Sequence, residues 1–416
     1  MSRLLEGEVG SGKTVVAALA ARLVVSAGAQ AAIMAPTELL AEQHFRTLGA
    51  IFGASGPRTA LLTSSVTGEA RRAVLEALAS GSADVVVGTH ALVEEGVELA
   101  RLALAVVDEQ HRFGVRQRST LREKGIDPHL LLTTATPIPQ TLWRTVYRDL
   151  DISVIDELPA GRKEIRTEVR APDALPRIWT WLRDRVAQGE QAFVICPRID
   201  PADDEDEGGE GPPSAVAMAD ELLRGPLAGV RLGLLHGRLG QRERDDVMRG
   251  FAEGEIDVLV ATTVVEVGID VPNATAMIVL GAERFGLAQL HQLRGRVGRG
   301  EKQSFCVLVS LSTDSERLAA MSERRRLSDG REVPLDGFDL AQRDLQIRGP
   351  GEFLGERQHG VPELRIVDLA DVDPRLVAES SMETDRILAG DPHLERPEHA
   401  PLADAVDQLW KRYALA

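Results

Sequence analysis

Short apolar runs alternate with longer amphipathic stretches through the first 150 residues. The predicted strands cover residues 3–8, 31–35, 59–63, 84–88, 102–107 and 130–134. Helical spacing of apolar residues occurs between most of them, at 13–27, 38–48 and 68–79. This alternation predicts βαβ units and a parallel sheet. Because the strands are nearly continuous in Val, Leu, Ile and Ala, we expect helices on both faces of the sheet.

A second series of the same kind begins near residue 164. Its predicted strands cover 191–196, 231–235, 257–261, 276–280 and 304–309, and its predicted helices cover 175–187, 242–253 and 287–293. The sequence therefore predicts an α/β protein with two parallel-sheet lobes and a small, mostly helical C-terminal region. The predicted domains are 1–158, 159–335 and 336–416, with a Pro- and Gly-containing joint at 156–163.

The charge balance limits the classes of function. Among 416 residues, 48 are basic and 64 acidic, and the net charge of −16 argues against a protein that coats nucleic acid. Part of the excess acid lies in the glycine-rich segment 202–213, which we predict to be a disordered surface loop of the second lobe. Aromatic residues make up only 4%, too few to suggest a base-stacking platform.

Cysteine usage and hydropathy indicate the compartment. The two cysteines lie far apart, at 196 and 306, which excludes a disulfide scaffold and a cysteine-rich zinc site. We find no signal-peptide pattern and no apolar run of the roughly 18 residues that a membrane span needs. We therefore expect a cytoplasmic protein without a membrane segment.

The motif GxxxxGK[ST] lies between the first predicted strand and the first predicted helix. Its residues are Gly7, Glu8, Val9, Gly10, Ser11, Gly12, Lys13 and Thr14. Glycines let backbone N–H groups surround phosphate oxygens, and the helix N-terminus adds a favourable dipole. Lys13 can reach the β- and γ-phosphates, and the Thr14 hydroxyl can bind Mg²⁺. The strand and helix on either side favour a nucleotide site over a chance glycine-rich turn.

Two carboxylates, Asp108 and Glu109, directly follow the predicted strand 102–107. Asp108 would hold Mg²⁺, and Glu109 would polarise the water that attacks the γ-phosphate. An acidic pair after a strand is more often a turn or a helix cap. The phosphate loop in the same lobe favours the catalytic interpretation.

Closely spaced arginines and glycines form a third motif, QLRGRVGR at 292–299, in the second lobe. The alternative interpretation is a surface helix end with salt bridges. Arginines on glycine-permitted turns suit anion recognition better, and arginines that stabilise a transferring phosphoryl group contribute about 10³–10⁵ in rate. Supplied from a second lobe, they would couple hydrolysis to lobe closure.

These motifs, with TAT at 134–136, occur in the order of the superfamily 2 helicase motifs. More narrowly, the chain resembles the RecG-type branched-DNA helicases. The segments that carry the resemblance are LLEGEVGSGKTVVAALA (4–20), APTELLAEQH (35–44), DEQHRFGVRQR (108–118), TATPIPQTL (134–142), IDELPAGRKEI (155–165), AERFGLAQLHQLRGRVGRG (282–300) and DLQIRGPGEFLGERQHG (344–360).

The resemblance implies two RecA-like lobes that bind ATP and Mg²⁺ in the cleft between them. It implies catalytic roles for Lys13, Glu109, Arg296 and Arg299, of which the two arginines sense the γ-phosphate. Further ATP-site residues that it implies are Gly268, Asp270 and Gln292. Residues that would couple the nucleotide state to the lobe interface and to DNA are His111, Thr134, Ala135 and Thr136.

The resemblance also implies a DNA track and a translocation hairpin. The track residues are Pro36, Thr37, Glu38, Gly88, Thr89, His90, Thr262 and Thr263. A track of this kind uses backbone amides, hydroxyls and few cations, so an acidic protein can still bind DNA. Asp336 would cap a helix that ends near Gly349, and the hairpin residues to test are Arg343, Arg348, Arg357 and Gln358. The alternative is a helix and loop that only pack on the second lobe.

RecG-type proteins carry, before the phosphate loop, an oligonucleotide-binding wedge and the segment that recognises adenine. This chain begins six residues before Gly7, so we expect both to be absent, through a shortened gene, a misassigned start or fragmentation. Adenine recognition and wedge function are therefore not transferred to this chain.

The sequence thus predicts an ATP-dependent DNA helicase or double-stranded-DNA translocase that remodels stalled forks and Holliday junctions in recombination and repair. The alternatives are the motor of a transcription–repair coupling factor, an RNA helicase, and an inactive truncated nucleotide-binding fragment. The expected partners are branched or duplex DNA, with single-strand-binding protein as a candidate. We expect the chain to be a monomer.

Overall fold

The computed structural model of the chain describes residues 1–109, 121, 124–125, 127–135, 150–157, 163–199, 214–262, 271–300, 302–312, 315–326, 330, 332–348 and 374–414. Internal contacts divide the chain into two compact units, Met1–Pro137 with Leu150–Gly337, and Ile138–Asp149 with Phe338–Ala416. The first unit contains two separate parallel sheets, and helices predominate in the described C-terminal residues. The predicted α/β fold class is confirmed.

The first sheet has seven parallel strands in the order β3-β4-β2-β5-β6-β1-β7. The elements are β1 (Ser2–Gly7), α1 (Lys13–Ser26), β2 (Gln30–Met34), α2 (Glu38–Phe52), β3 (Thr59–Leu62), α3 (Gly68–Ala79), β4 (Val85–Gly88), β5 (Leu102–Val107), β6 (His129–Thr134) and β7 (Asp151–Ile155). Neighbouring residues such as Leu4 and Leu5 belong to different buried clusters, because successive side chains point to opposite faces of a sheet. Both faces are therefore covered.

The second sheet has six parallel strands in the order β10-β11-β9-β12-β13-β8. The elements are β8 (Arg166–Arg170), α4 (Leu175–Ala187), β9 (Gln191–Ile195), α5 (Ala215–Arg224), β10 (Leu232–Leu235), α6 (Gln241–Ala252), β11 (Val258–Ala261), β12 (Ala274–Leu280), α7 (Leu287–Arg294) and β13 (Phe305–Val309). On one face, the Phe193 ring of β9 packs against the Phe251 ring of α6 with a centroid separation of 4.8 Å. On the other face, Val194 and Ile278 are fully buried in a cluster with Trp179 of α4.

Smaller elements complete the described chain. They are α8 (Glu316–Ala320), the antiparallel pair β14 (Arg324–Arg326) and β15 (Glu332–Pro334), α9 (Gly337–Arg348), α10 (Pro374–Gly390) and α11 (Ala400–Ala414). The helix α9 begins directly after Asp336, where the sequence predicts a helix start. The predicted acidic loop 202–213 lies outside the described residues.

Two edge strands, β7 and β8, were absent from the sequence prediction. Their sequences are DISVI and RTEVR; β8 has exposed polar residues at alternate positions, and no residue of β7 is fully buried. An edge strand has one neighbour and little burial, so its apolar signal is weak. Helix α2 also ends at Phe52 instead of the predicted residue 48, since Gly53 provides the stop.

Both cysteines lie in the second sheet region, where Cys196 and Cys306 are fully buried and not disulfide-bonded. Burial raises the pKa of each thiol to about 12. Among the described residues, no helix combines the length and the apolar character that crossing a bilayer requires.

Candidate functional site

The loop between β1 and α1 is shaped as a cradle for phosphate. Gly10 and Gly12 have φ values of 80° and 99°, in the left-handed region that glycine adopts at little cost. A Cβ added at Gly7 would lie 2.6 Å from Ser11 Oγ, so the loop closes tightly only with glycine there. Helix α1 begins at Lys13, and its N-terminus supplies backbone N–H groups and positive dipole for an anion.

Lys13 places its ammonium inside this loop. Its Nζ donates to the carbonyl oxygens of Gly7 at 2.8 Å and Glu8 at 2.9 Å. Burial lowers the pKa of Lys13, while the negative charges of Glu109 and Asp108 raise it and the arginines 296 and 299 lower it. Charged groups from both sheets therefore act on one lysine.

Asp108, at the carboxyl end of β5, has both carboxylate oxygens occupied. His44 Nε2 lies 2.8 Å from one of them, and the Thr133 hydroxyl donates to the other. Burial raises the pKa of Asp108, but His44, Thr133 and Lys13 together hold it below its ordinary value. A charged carboxylate and a hydroxyl, such as those of Asp108 and Thr14, are the hard oxygen donors that Mg²⁺ prefers.

The sequence prediction missed His44 and Thr133. His44 ends the segment APTELLAEQH, and Thr133 directly precedes the predicted coupling residue Thr134. His44 lies within a motif segment and Thr133 within the predicted strand 130–134, but only the parallel arrangement of β2, β5 and β6 brings α2 and β6 to the same carboxylate. Their contacts identify them as positioning residues for Asp108.

Glu109 has φ 52°, an uncommon left-handed conformation for a residue with a side chain. Burial and the neighbouring Asp108 raise the pKa of Glu109, while Arg296, Lys13 and the donated N–H of Ala135 oppose this shift. A carboxylate whose pKa is raised and whose backbone is strained beside a phosphate loop suits general base chemistry.

The arginine motif of the second lobe lies against the phosphate loop. Helix α7 ends at Arg294, and a Cβ added at the next residue, Gly295, would lie 3.3 Å from the Val9 side chain. Arg296 is 3% exposed, and its charge acts on both Lys13 and Glu109. The structure thus brings together Lys13, Glu109 and Arg296 from two sheets.

Of the remaining predicted ATP-site and coupling residues, the structure describes some and not others. Gln292 is buried in α7, Thr134 is buried at the end of β6, and Ala135 follows it with its N–H donated to Glu109. Four predicted residues lie outside the described part of the chain: His111, Thr136, Gly268 and Asp270.

Several predicted track residues have structural contacts of their own. Thr37 caps α2 by accepting from the Leu40 N–H at 3.4 Å, between the half-buried Pro36 and Glu38. Thr89 and Thr262 are buried, and His90 is exposed. Thr263, Arg357 and Gln358 lie outside the described residues, whereas Arg343 and Arg348 belong to α9.

Gly88 has a packing reason to be glycine. A Cβ there would lie 2.2 Å from the Leu62 carbonyl oxygen of the neighbouring strand β3. We expect Gly88→Ala to lower the free energy of unfolding by about 1–3 kcal/mol, because the strands must separate. Urea unfolding measures this, with Gly49→Ala in α2 as the control.

Gly49 is exposed, and a Cβ there meets nothing within 4 Å. The control should therefore raise the free energy of unfolding by about 0.5–1 kcal/mol, as alanine favours a helix more than glycine does. A Gly88→Ala variant as stable as the parent would contradict the packing role and leave DNA contact as the reason for this glycine.

Models of known protein families match the segments of the chain that contain the motifs. The model of the DEAD/DEAH box helicase family matches residues 2–145, and that of the helicase conserved C-terminal domain matches 173–301. A third model, for domain 3 of the ATP-dependent DNA helicase RecG at its C-terminal part, matches 334–414. Together these matches span the phosphate loop, the arginine motif and α9.

Individual relatives agree with the family models. The chain is 47% identical to the ATP-dependent DNA helicase RecG of Bacillus subtilis, over 97% of this chain and 57% of that protein. It is 49% identical to RecG of Streptococcus pneumoniae, over 90% and 54% of the two chains. A solved structure of RecG bound to a three-way DNA junction matches with 41% identity and a TM-score of 0.73, over 91% of this chain and 47% of that one.

The chain thus spans little more than half the length of the curated relatives that it matches. Across nearly all of its own length, however, its identity to proteins named RecG is close to one residue in two. With a RecG-specific model matching its C-terminal part, the chain belongs to the RecG family of ATP-dependent DNA helicases.

Proposed function

We propose that this chain is an ATP-dependent DNA translocase or helicase that remodels branched DNA, at stalled forks and Holliday junctions, in recombination and repair. The observation that carries the proposal is the packing of the arginine motif at Gly295 against Val9 of the phosphate loop, which brings the charge of Arg296 to Lys13 and Glu109. A hydrolytic site built from two lobes links ATP turnover to lobe movement, which is what a motor needs.

In this proposal the residues of the loop and of the β5 end share the work of hydrolysis. Gly10, Gly12 and the α1 N-terminus bind the phosphates, Lys13 neutralises them, and Gly7, Glu8, Val9 and Ser11 complete the loop. Thr14 and Asp108 would hold Mg²⁺, and bound Mg·ATP supplies the phosphoryl group and its charge compensation. Glu109 orients and deprotonates the attacking water, and Arg296 and Arg299 stabilise the charge that develops on the γ-phosphate.

The proposal that this chain binds DNA and moves along it rests on its similarity to RecG proteins. The solved RecG structure contains a three-way DNA junction, and the family model over 334–414 favours this function over a transcription–repair coupling motor. We propose that α9 and the residues after it act on duplex DNA through Arg343, Arg348, Arg357 and Gln358. The domain boundaries 1–158, 159–335 and 336–416, the monomeric state, the cytoplasmic location and contact with single-strand-binding protein stay predictions.

Steady-state ATP hydrolysis by this chain tests the proposal. It is measured without DNA, with linear duplex and with a three-way junction, at one low salt concentration, because phosphate contacts make DNA affinity strongly salt-dependent. We expect both DNAs to stimulate hydrolysis. Absence of hydrolysis from a well-folded sample under all conditions would contradict a working motor and indicate an inactive fragment. Hydrolysis that ignores DNA would contradict the translocase.

A further inference from the structure

Glu8 has two contacts that phosphate binding does not explain. Its side chain extends from the loop towards the second lobe, where its Oε1 accepts the backbone N–H of Gly337 at 3.2 Å. The same Oε1 lies 3.8 Å from His291 Nε2 of α7, whose side chain is 6% exposed. One carboxylate of the phosphate loop therefore contacts both the arginine-motif helix and the first residue of α9.

The arginine that ends α7 closes this arrangement into a ring. Arg294 is buried and donates to the carbonyl oxygens of Met321 and Leu335, each at 3.4 Å. It also lies 3.0 Å from His291 Nδ1. Because arginine only donates, Nδ1 accepts, and a neutral His291 ring carries its proton on Nε2, the atom that faces Glu8. The segment that leads into α9 is thus held from two directions.

The backbone of Glu8 completes the connection to the nucleotide site. The Lys13 ammonium that hydrogen-bonds the Glu8 carbonyl oxygen at 2.9 Å is the group that a bound phosphate would attract. When Lys13 turns to a phosphate, the Glu8 carbonyl loses this hydrogen bond. Lys13 then no longer restrains the position of Glu8. The backbone of Glu8 therefore contacts the lysine of the nucleotide site, whereas its side chain contacts the start of α9.

We propose that Glu8 is a positioning residue that transmits the state of the phosphate loop to the start of α9, through the Gly337 N–H and the His291–Arg294 pair. The proposal rests on the proposed function, because it assumes that the loop binds nucleotide. Its consequence is that nucleotide binding loosens the first turns of α9.

Gly337 allows a matched test of the link. As the first residue of α9, it occupies a position where proline fits a helix well, and proline has no N–H to donate to Glu8. Gly337→Pro therefore removes the contact, while Gly337→Ala keeps the N–H. The readout is hydrogen–deuterium exchange of residues 337–348 and of residues 7–14, with and without Mg²⁺ and a non-hydrolysable ATP analogue at saturation.

In the parent and in Gly337→Ala, we expect the analogue to speed exchange in the first turns of α9 by about tenfold, the scale of a hydrogen bond to a charged group. In Gly337→Pro and in Glu8→Ala, exchange there should not respond to the analogue. Duplex stimulation of ATP hydrolysis should also fall by about tenfold in Gly337→Pro and stay at the parent level in Gly337→Ala.

The outcomes separate this link from the proposed function. A parent whose residues 7–14 respond to the analogue while 337–348 do not would overturn the link and leave the nucleotide site in place. Equal responses of Gly337→Pro and Gly337→Ala would also overturn it. If residues 7–14 of the parent do not respond, the nucleotide site itself is wrong, and the link fails with it.

Discussion

Replacing Lys13 with alanine is expected to abolish measurable ATP turnover, a fall on the order of 10³-fold, the scale seen when a main charge-stabilising donor is lost. The Lys13 ammonium lies inside the loop between β1 and α1, hydrogen-bonded to two loop carbonyls and within range of Asp108 and Glu109. Steady-state phosphate release with saturating Mg·ATP and duplex DNA measures the change.

Lys124 supplies a matched control for this variant. It belongs to the same compact unit as Lys13 and donates from Nζ to two backbone carbonyls, those of Glu94 and Val97, each at 2.9 Å. Lys124→Ala should therefore lose the same kind of contact and retain turnover. Turnover that survives in Lys13→Ala would refute the phosphate-loop assignment. Equal loss in both variants, with lowered melting temperatures, would attribute the effect to folding.

The second large effect is expected at Arg296, where substitution by alanine should lower kcat by about 10³-fold or more. Arg296 is 3% exposed and acts on Lys13 and Glu109 from the other sheet, so its guanidinium is positioned for charge that develops during phosphoryl transfer. Affinity for a fluorescent ADP analogue should change little, because that charge is absent from the product. Single-turnover hydrolysis and analogue titration separate the two quantities.

Two further variants serve as controls for the Arg296→Ala result. Arg296→Lys keeps the charge but loses the planar fork, so it should recover only part of the rate. Arg224→Ala removes an exposed arginine of the same lobe, paired with Asp220 on α5, and should leave turnover unchanged. A loss of ADP-analogue affinity as large as the loss of kcat would contradict a role confined to the transition state.

Local sequence signals predicted most of the fold and the main part of the candidate site. The strands near the first sheet centre, such as β5, are fully apolar, so composition and length alone located them. The Gly7–Thr14 motif and the acids 108 and 109 follow strands directly, and the carboxyl ends of parallel strands meet at one edge. The proximity of these groups could therefore be predicted from their positions directly after parallel strands.

Contacts set by tertiary structure were not predictable in the same way. His44 reaches Asp108 only because α2 packs beside the end of β5, and Glu8 reaches Gly337 across 329 positions of sequence. Neither contact leaves a periodic or compositional signal. The strands β7 and β8 escaped prediction for another reason: at a sheet edge, polar residues cost little, so the hydrophobic pattern that marks a strand is weak.

The burial of both thiols gives this chain a chemical reporter of one lobe. With a pKa of about 12, neither Cys196 nor Cys306 offers the thiolate that maleimides and disulfide reagents attack at neutral pH. Labelling requires the second sheet to open, so the labelling rate reports the free energy of opening of that sheet. The first sheet has no cysteine and does not contribute to the labelling. A cysteine introduced on the surface of either lobe can carry a dye in the presence of both native thiols.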